Sequence, residues 1–183
     1  VEGRRNLAPA CATPVFDGMV VTTNTMKVMQ KRKTVLELML SDHPKDCLAC
    51  SKNGECELQD LAMQFGVREI RFKGKESKYR QDSSPSIIRD MDKCIMCRRC
   101  ETMCNNIQTV GALSGVNRGF EAVVATAFEQ DLEDSVCTYC GQCVAVCPVG
   151  ALHEQDHTWQ LVKDLANPKK KVIVQVAPAV RVA

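Results

Sequence analysis

The chain has 183 residues, 24 basic and 22 acidic side chains, a formal net charge of +2, only 4% aromatic residues and twelve cysteines. Near-neutral charge gives no general reason to expect nucleic acid, and no run of ~18 apolar residues is present to span a membrane. The length holds one or two domains; divided into several small compartments, it leaves each with a core too thin to stand without staples such as metal clusters.

Val1-Glu2-Gly3 opens abruptly, with no initiator methionine and no secretory leader, so a cut start is expected. Cys11 follows in a loop of small residues and proline. Residues 18–23, with Val20, Val21, Thr22 and Thr23 after Gly18, read as a strand behind a turn. Over residues 25–40, Val28, Met29, Val35, Leu36 and Met39 recur at helical spacing, with Thr25 placed to cap the start and Pro44 to end it. His43 therefore stands just past a helix end, ahead of Cys47, Cys50 and Cys56. A lone histidine there is usually a surface residue, but this one supplies the fourth ligand that His43-x3-Cys47-x2-Cys50-x5-Cys56 otherwise lacks. Residues 51–55 read as a loop turning backbone N–H groups toward the site, with Gly54 permitting close approach. Residues 56–65 read as a short helix stopped by Gly66.

The basic stretch 68–80, including Arg71, Lys73, Lys75 and Lys78, reads as a solvated hairpin or loop, with a docking patch for an acidic partner as the alternative. Residues 81–85 are the best linker candidate, and 86–90 a strand feeding the first of two cysteine runs. Those runs are Cys94-Cys97-Cys100-Cys104 and Cys137-Cys140-Cys143-Cys147, each C-x2-C-x2-C-x3-C, offset by 43 residues, the second closed by Pro148. This is the two-cluster bacterial ferredoxin spacing, in which the fourth cysteine ligates the other cluster. One [4Fe–4S] cubane is accordingly assigned to Cys94, Cys97, Cys100 and Cys147, its neighbour to Cys104, Cys137, Cys140 and Cys143, and a third to His43, Cys47, Cys50 and Cys56. Ile95, Met96, Ile107, Val144 and Val146 are expected to shield the pair from water. The segment 110–113 recurs as 149–152 out of register with the cysteines, and a hairpin or strand is expected near 122–127.

A helix over 158–166 ends at Asn167-Pro168, and residues 172–176 read as a buried-type strand. The end soon after it is expected to mark a domain that starts here and continues elsewhere. His153 and His157 have no cysteine at ligand spacing and read as surface residues. Zinc and disulfides compete with iron–sulfur for the cysteines. Zinc uses two C-x2-C pairs, which leaves the third cysteine of each run surplus, and clustered sulfurs pair poorly as disulfides.

These residues together resemble the electron-relay region of multi-cluster [FeFe]-hydrogenases, in particular the catalytic subunit of multimeric NAD(P)-linked, often electron-bifurcating enzymes. The resemblance is carried by the histidine set, by the residues around Cys94, by Asn117-Arg118-Gly119-Phe120, by Cys137-Thr138-Tyr139-Cys140-Gly141-Gln142-Cys143 and by Gln175-Val176-Ala177-Pro178-Ala179-Val180-Arg181. The front end also resembles the large iron–sulfur subunit of complex I and some formate dehydrogenases.

The resemblance implies an α+β chain of small iron–sulfur domains, including a histidine-ligated cluster domain and a two-cluster bacterial ferredoxin-like domain. The expected divisions are 1–24, a remnant of a plant-type [2Fe–2S] domain; 25–80, the His/Cys-ligated domain; 81–157, the two-cluster domain; and 158–183, a connector and first strand of an H-cluster domain. It implies that Cys11 is a [2Fe–2S] ligand only in a longer parent chain. It also implies a relay passing electrons between the H-cluster, where protons and H2 interconvert, and ferredoxin or flavin- and NAD(P)-binding subunits. The H-cluster ligands are missing from this stretch, so the segment alone is expected not to turn over H2. A formate dehydrogenase or complex I-type relay, or a self-standing carrier, is the alternative. Oxygen-poor cytoplasm is the expected setting.

Overall fold

The computed structural model describes residues 1–182. Helix α1, Met26–Asp42, begins where the Thr25 hydroxyl accepts the Val28 N–H at 3.3 Å. It ends at His43, whose extended backbone (φ −84°, ψ 137°) is what the following proline demands. Helix α2, Glu57–Gln64, starts directly after Cys56. It closes in a Schellman turn: Gly66 takes φ +60°, the Gly66 N–H reaches Met63 and the Val67 N–H reaches Ala62.

The basic stretch that reads as a hairpin or loop is an extended strap across the molecule. Arg71 pairs with the buried Glu37 of α1 at 2.6 Å, Lys75 with Glu121, Lys78 with Asp92 and Arg80 with Asp131. Exposed pairs contribute little each. The backbone holds the strap more firmly, since Asp42 accepts the Ser77 N–H at 3.1 Å and Asp92 the Tyr79 N–H at 2.7 Å. The Tyr79 hydroxyl donates to the Phe120 or Ala122 carbonyl. A Cβ on Gly74 would run into the backbone of Ser41 and Asp42, so only glycine lets the strap pass the end of α1. Four of its six cations are thus paired within the chain, which leaves Arg68 and Lys73 for the docking-patch reading.

Strands β1 (Asp82–Ser83), β2 (Ile87–Arg89) and β5 (Leu152–Glu154) form an antiparallel sheet in the order β1-β2-β5, with Ile88 opposite His153. The strand after the second cysteine run thus pairs with the strand before the first. Between them, β3 (Ser114–Val116) and β4 (Val123–Ala125) make the expected hairpin. The linker reading of 81–85 is corrected. Asp82 is buried, and its carboxylate accepts from Ser84 N–H and Oγ, from Leu132 N–H at 2.9 Å and from Arg89 Nη1 at 3.3 Å. Arg89 Nη2 donates in turn to the Val124 carbonyl at 2.8 Å, which joins sheet, hairpin and loop through one ion pair.

Helix α5, Thr158–Ala166, is as expected. Two expected strands are not found. Residues 18–23 are extended, but the ladder contact there is one bond, from Glu2 N–H to the Val20 carbonyl. Residues 172–176 run exposed, with Ile173 and Val174 79% accessible, and the chain then turns into a short helix α6, Pro178–Val182. A strand needs partners for its N–H and C=O groups, and neither stretch joins a ladder with another described segment. Ala183, the last residue of the expected connector, lies outside the described residues. Among the described residues no helix is long and apolar enough to cross a membrane.

Two small cores result. Ile87, Met91, Leu113, Val123, Val124, Leu132 and Leu152 pack with Cys100, while Leu36, Leu58, Val149 and Ala151 pack with Cys56. Breaking the Asp82–Arg89 pair from one side strands a buried charge. Asp82→Ala is expected to lose about 3–5 kcal/mol of stability, measured by denaturant unfolding under argon.

Candidate iron–sulfur centres

The two cysteine runs fold as copies of one loop. Met96 and Tyr139 both take φ 54°, and two residues later Arg98 and Gly141 take φ 58° and 74°. Left-handed backbone is unfavourable for a side-chain-bearing residue, by roughly 1–2 kcal/mol. Its repetition at equivalent positions means the loop shape is imposed. The shape turns N–H groups onto sulfur: Met96 N–H donates to Cys94 Sγ and Tyr139 N–H to Cys137 Sγ, each at 3.4 Å. Each loop then enters a short helix, α3 (Arg99–Thr102) carrying Cys100 or α4 (Gln142–Ala145) carrying Cys143. After α3 the backbone widens into a π turn, Met103–Ile107, which bears Cys104.

The eight sulfurs sort into two crossed sets. Burial pushes the Cys100 thiol up to about 12, aided by negative charge at Cys94, Cys147 and Cys97. Burial likewise raises Cys143 to about 11, aided by Cys137, Cys140 and Cys104. Cys94 is raised by burial and by Cys97 and Cys147, against N–H groups of Met96 and Val124 that favour its thiolate. Cys147 is raised by burial, opposed by the N–H groups of Val149, Leu152 and Ala151. The fourth cysteine of each run therefore sits with the other run's triplet. Of the expected shielding residues, Met96 and Val144 pack on the first core and Ile95 on the second, but Ile107 is 63% exposed.

His43, Cys47, Cys50 and Cys56 line one cavity, with Lys93 and Gly150 in its wall. His43 Nδ1 is buried and meets no hydrogen-bond partner. Desolvation chiefly, with Lys93, lowers the ring's pKa against the opposing charges of Asp46 and Asp90, so the imidazole is neutral near pH 7 and free to ligate. Gly54 takes φ +82°, with no protein atom where a Cβ would stand, and its N–H donates to Gln59 Oε1 at 3.2 Å. Gly150 approaches a ligand candidate closely: a Cβ there would lie 2.5 Å from Cys50 Sγ.

Among the described residues no three His, Cys, Asp or Glu side chains gather as a site for a single metal ion. Cys11 is exposed on a 3-10 turn, Ala10–Ala12. His153 and His157 make contacts to the Glu154 and Pro85 carbonyls and lie outside the cysteine sets.

The histidine cavity abuts the set of Cys94 and Cys147. Glu57 N–H donates to the Pro148 carbonyl at 3.0 Å, and Glu57 takes a two-pronged pair from Arg99 at 2.6 and 2.8 Å, which holds its carboxyl below the usual range. Val149 and Ala151 pack with Cys56 and against Cys94 and Cys147.

Residues 32–71 match the family described as the NADH-ubiquinone oxidoreductase-G iron–sulfur binding region, and residues 84–153 the NADH-quinone oxidoreductase subunit 3 ferredoxin-like domain. The chain is 71% identical, over its whole length, to 32% of the NADP-reducing hydrogenase subunit HndD of Solidesulfovibrio fructosivorans. The two matched stretches carry every cysteine except Cys11. A subunit of the NADH-quinone oxidoreductase of Rhizobium meliloti is 45% identical over 83% of the chain and 18% of its own length. The structure of an NAD+-reducing [NiFe]-hydrogenase in the H2-reduced state superposes with TM-score 0.72 at 28% identity, covering 79% of this chain and 62% of that one. The chain thus spans about a third of the first relative and under a fifth of the second. Both relatives are named as subunits of oxidoreductases.

Gly150, Lys93 and the Arg99–Glu57 pair were not singled out by sequence reasoning; the only signal for Gly150 is a glycine between valine and alanine just past Cys147. Gly150→Ala is expected to displace the Cys50 thiol, seen as faster alkylation of Cys50 than in the parent chain, with Cys100 unchanged. Because ligands bind as thiolates, loading iron must expel the protons that burial holds on Cys100 and Cys143. Loading is therefore expected to strengthen as pH rises and weaken as it falls, with at least two protons released per chain in weakly buffered anaerobic reconstitution.

Proposed function

We propose that this segment holds three [4Fe–4S] clusters and relays electrons within an [FeFe]-hydrogenase. The ligand sets are His43, Cys47, Cys50 and Cys56; Cys94, Cys97, Cys100 and Cys147; and Cys104, Cys137, Cys140 and Cys143. Each bound cluster supplies a one-electron redox centre. The donor chemistry fits, since soft sulfurs gather in crossed fours and a buried imidazole nitrogen without a protein partner lies in the remaining cavity. The chain's own residues space these sites, keep the sulfurs from water and aim N–H groups at them, the means by which a protein sets cluster potentials.

The single observation that carries the order of the relay is the seam between Cys56 and Cys147. Glu57 N–H to the Pro148 carbonyl, with Cys50 Sγ against Gly150, puts the histidine set beside the Cys94 set. Cys100 and Cys104 are four residues apart along α3 and its π turn, which joins the Cys94 set to the Cys104 set. The sequence of sites is histidine set, Cys94 set, Cys104 set, with divisions at 25–80 and 81–157.

In the parent enzyme the relay runs between ferredoxin or flavin- and NAD(P)-binding subunits and an H-cluster domain that interconverts protons and H2. Cys11 completes a [2Fe–2S] site there, and the setting is the cytoplasm. The complex I-type and formate dehydrogenase alternatives stand behind this reading, because 71% identity to a hydrogenase subunit exceeds 45% to a quinone oxidoreductase subunit. Anaerobic reconstitution with iron and sulfide analysis is expected to give about twelve irons per chain; two or three zincs, or no labile sulfide, would overturn the scheme. His43→Ala is expected to alter the electron paramagnetic resonance signal of one cluster and leave the other two nearly unchanged.

A further inference from the structure

Lys93 belongs to one site by its backbone and to another by its side chain. It immediately precedes Cys94, yet its side chain lines the cavity of His43, Cys47, Cys50 and Cys56. Gly150 shows how near it comes. From the point a Cβ would occupy there, Lys93 Cδ lies at 3.5 Å and Cys50 Sγ at 2.5 Å, so the lysine stem and the sulfur flank the same glycine. The side chain is only 12% exposed, and Asp90 Oδ2 holds its Nζ at 2.7 Å. Asp90 is itself pinned, with its N–H donating to the Ala151 carbonyl at 2.9 Å, and its other oxygen is buried without a partner. The second lysine in the cavity wall, Lys52, is more open and reaches a largely exposed Glu55 at 3.9 Å, where solvent screens it.

We propose that Lys93 is a positioning residue for charge: its ammonium, held by Asp90, raises the reduction potential of the centre carried by His43, Cys47, Cys50 and Cys56. The inference rests on the iron–sulfur reading of that cavity. Reduction adds one negative charge to the centre. A cation fixed where water is scarce stabilises the reduced form more than the oxidised one, whereas the same cation at the surface would be screened. Asp90 opposes it in part. The i,i+3 ion pair alone would be an ordinary structural device; its place in the wall of the histidine cavity is what gives it a redox consequence.

The test is a potentiometric titration of the reconstituted chain, followed by electron paramagnetic resonance, with iron counted on the same samples. Lys93→Gln is expected to lower the midpoint of the histidine-set centre by about a tenfold change in its reduced-to-oxidised ratio, ~59 mV for a one-electron couple. Asp90→Asn is expected to raise it, and Lys93→Arg to restore the parent value. The other two centres are expected to move less. Equal shifts for Lys93→Arg and Lys93→Gln, an unmoved midpoint, or all three centres shifting alike overturns the proposal. Should Lys93→Gln fail to load, Asp90→Asn decides it, and anything but an upward shift sinks it. Variants with full iron and unmoved midpoints reject the role of Lys93 alone; an unsubstituted chain that takes up no iron rejects the cluster reading as well.

Discussion

Cysteine does two jobs in this chain, and the structure depends on their being compatible. Both hydrophobic clusters contain a buried ligand candidate, Cys100 in one and Cys56 in the other. With so few aromatic residues, there is little else to fill those positions. A thiol packs there as a small apolar group. As a thiolate Cys100 would be costly there, since burial pushes its pKa up, as it does for Cys143. Metal ligation resolves the conflict by taking up the charge where the sulfur already sits, so that filling the sites and completing the core are one event.

The remaining polar burial serves to keep these sulfur-lined pieces aligned. Asp82 and Arg89 fix the small sheet to the hairpin. The strap from 68 to 80 fastens the end of α1, next to His43, to the hairpin through Asp42, Ser77 and Phe120. Arg99 and Glu57 tie α3 to α2 across the seam. The first is buried and unforgiving, the bonds of Ser77 are half-buried, and the Arg99–Glu57 pair is exposed and contributes little by itself.

Much of this was legible in the sequence wherever the signal was local. Thr25 and Pro44 bounded α1, Gly66 ended α2, and the cysteine spacing anticipated Cys147 near Cys100 and Cys104 near Cys143. Illegible features depended on residues far apart in the chain. Nothing near Asp82 announces that Leu132 and Val124 will surround its ion pair, so a polar Ser-Pro stretch read as a linker. The cations of 68–80 looked solvated because their partners lie up to 51 residues away. Apolar β-branched runs at 18–23 and 172–176 carried strand propensity, but propensity supplies no neighbour for the backbone.

The π turn at Met103–Ile107 shows how the two halves ceased to be interchangeable. The apolar motif that begins at Val149 follows Cys147 by two residues, whereas its counterpart at Val110 follows Cys104 by six. The first half absorbs the surplus by widening its helix around Cys104, while Pro148 forbids any such widening in the second. The internal repeat of the two cysteine runs loses its symmetry there. The broken half leads into the hairpin, and the tightly turned half leads straight onto the wall of the histidine cavity, giving a duplicated unit a front and a back.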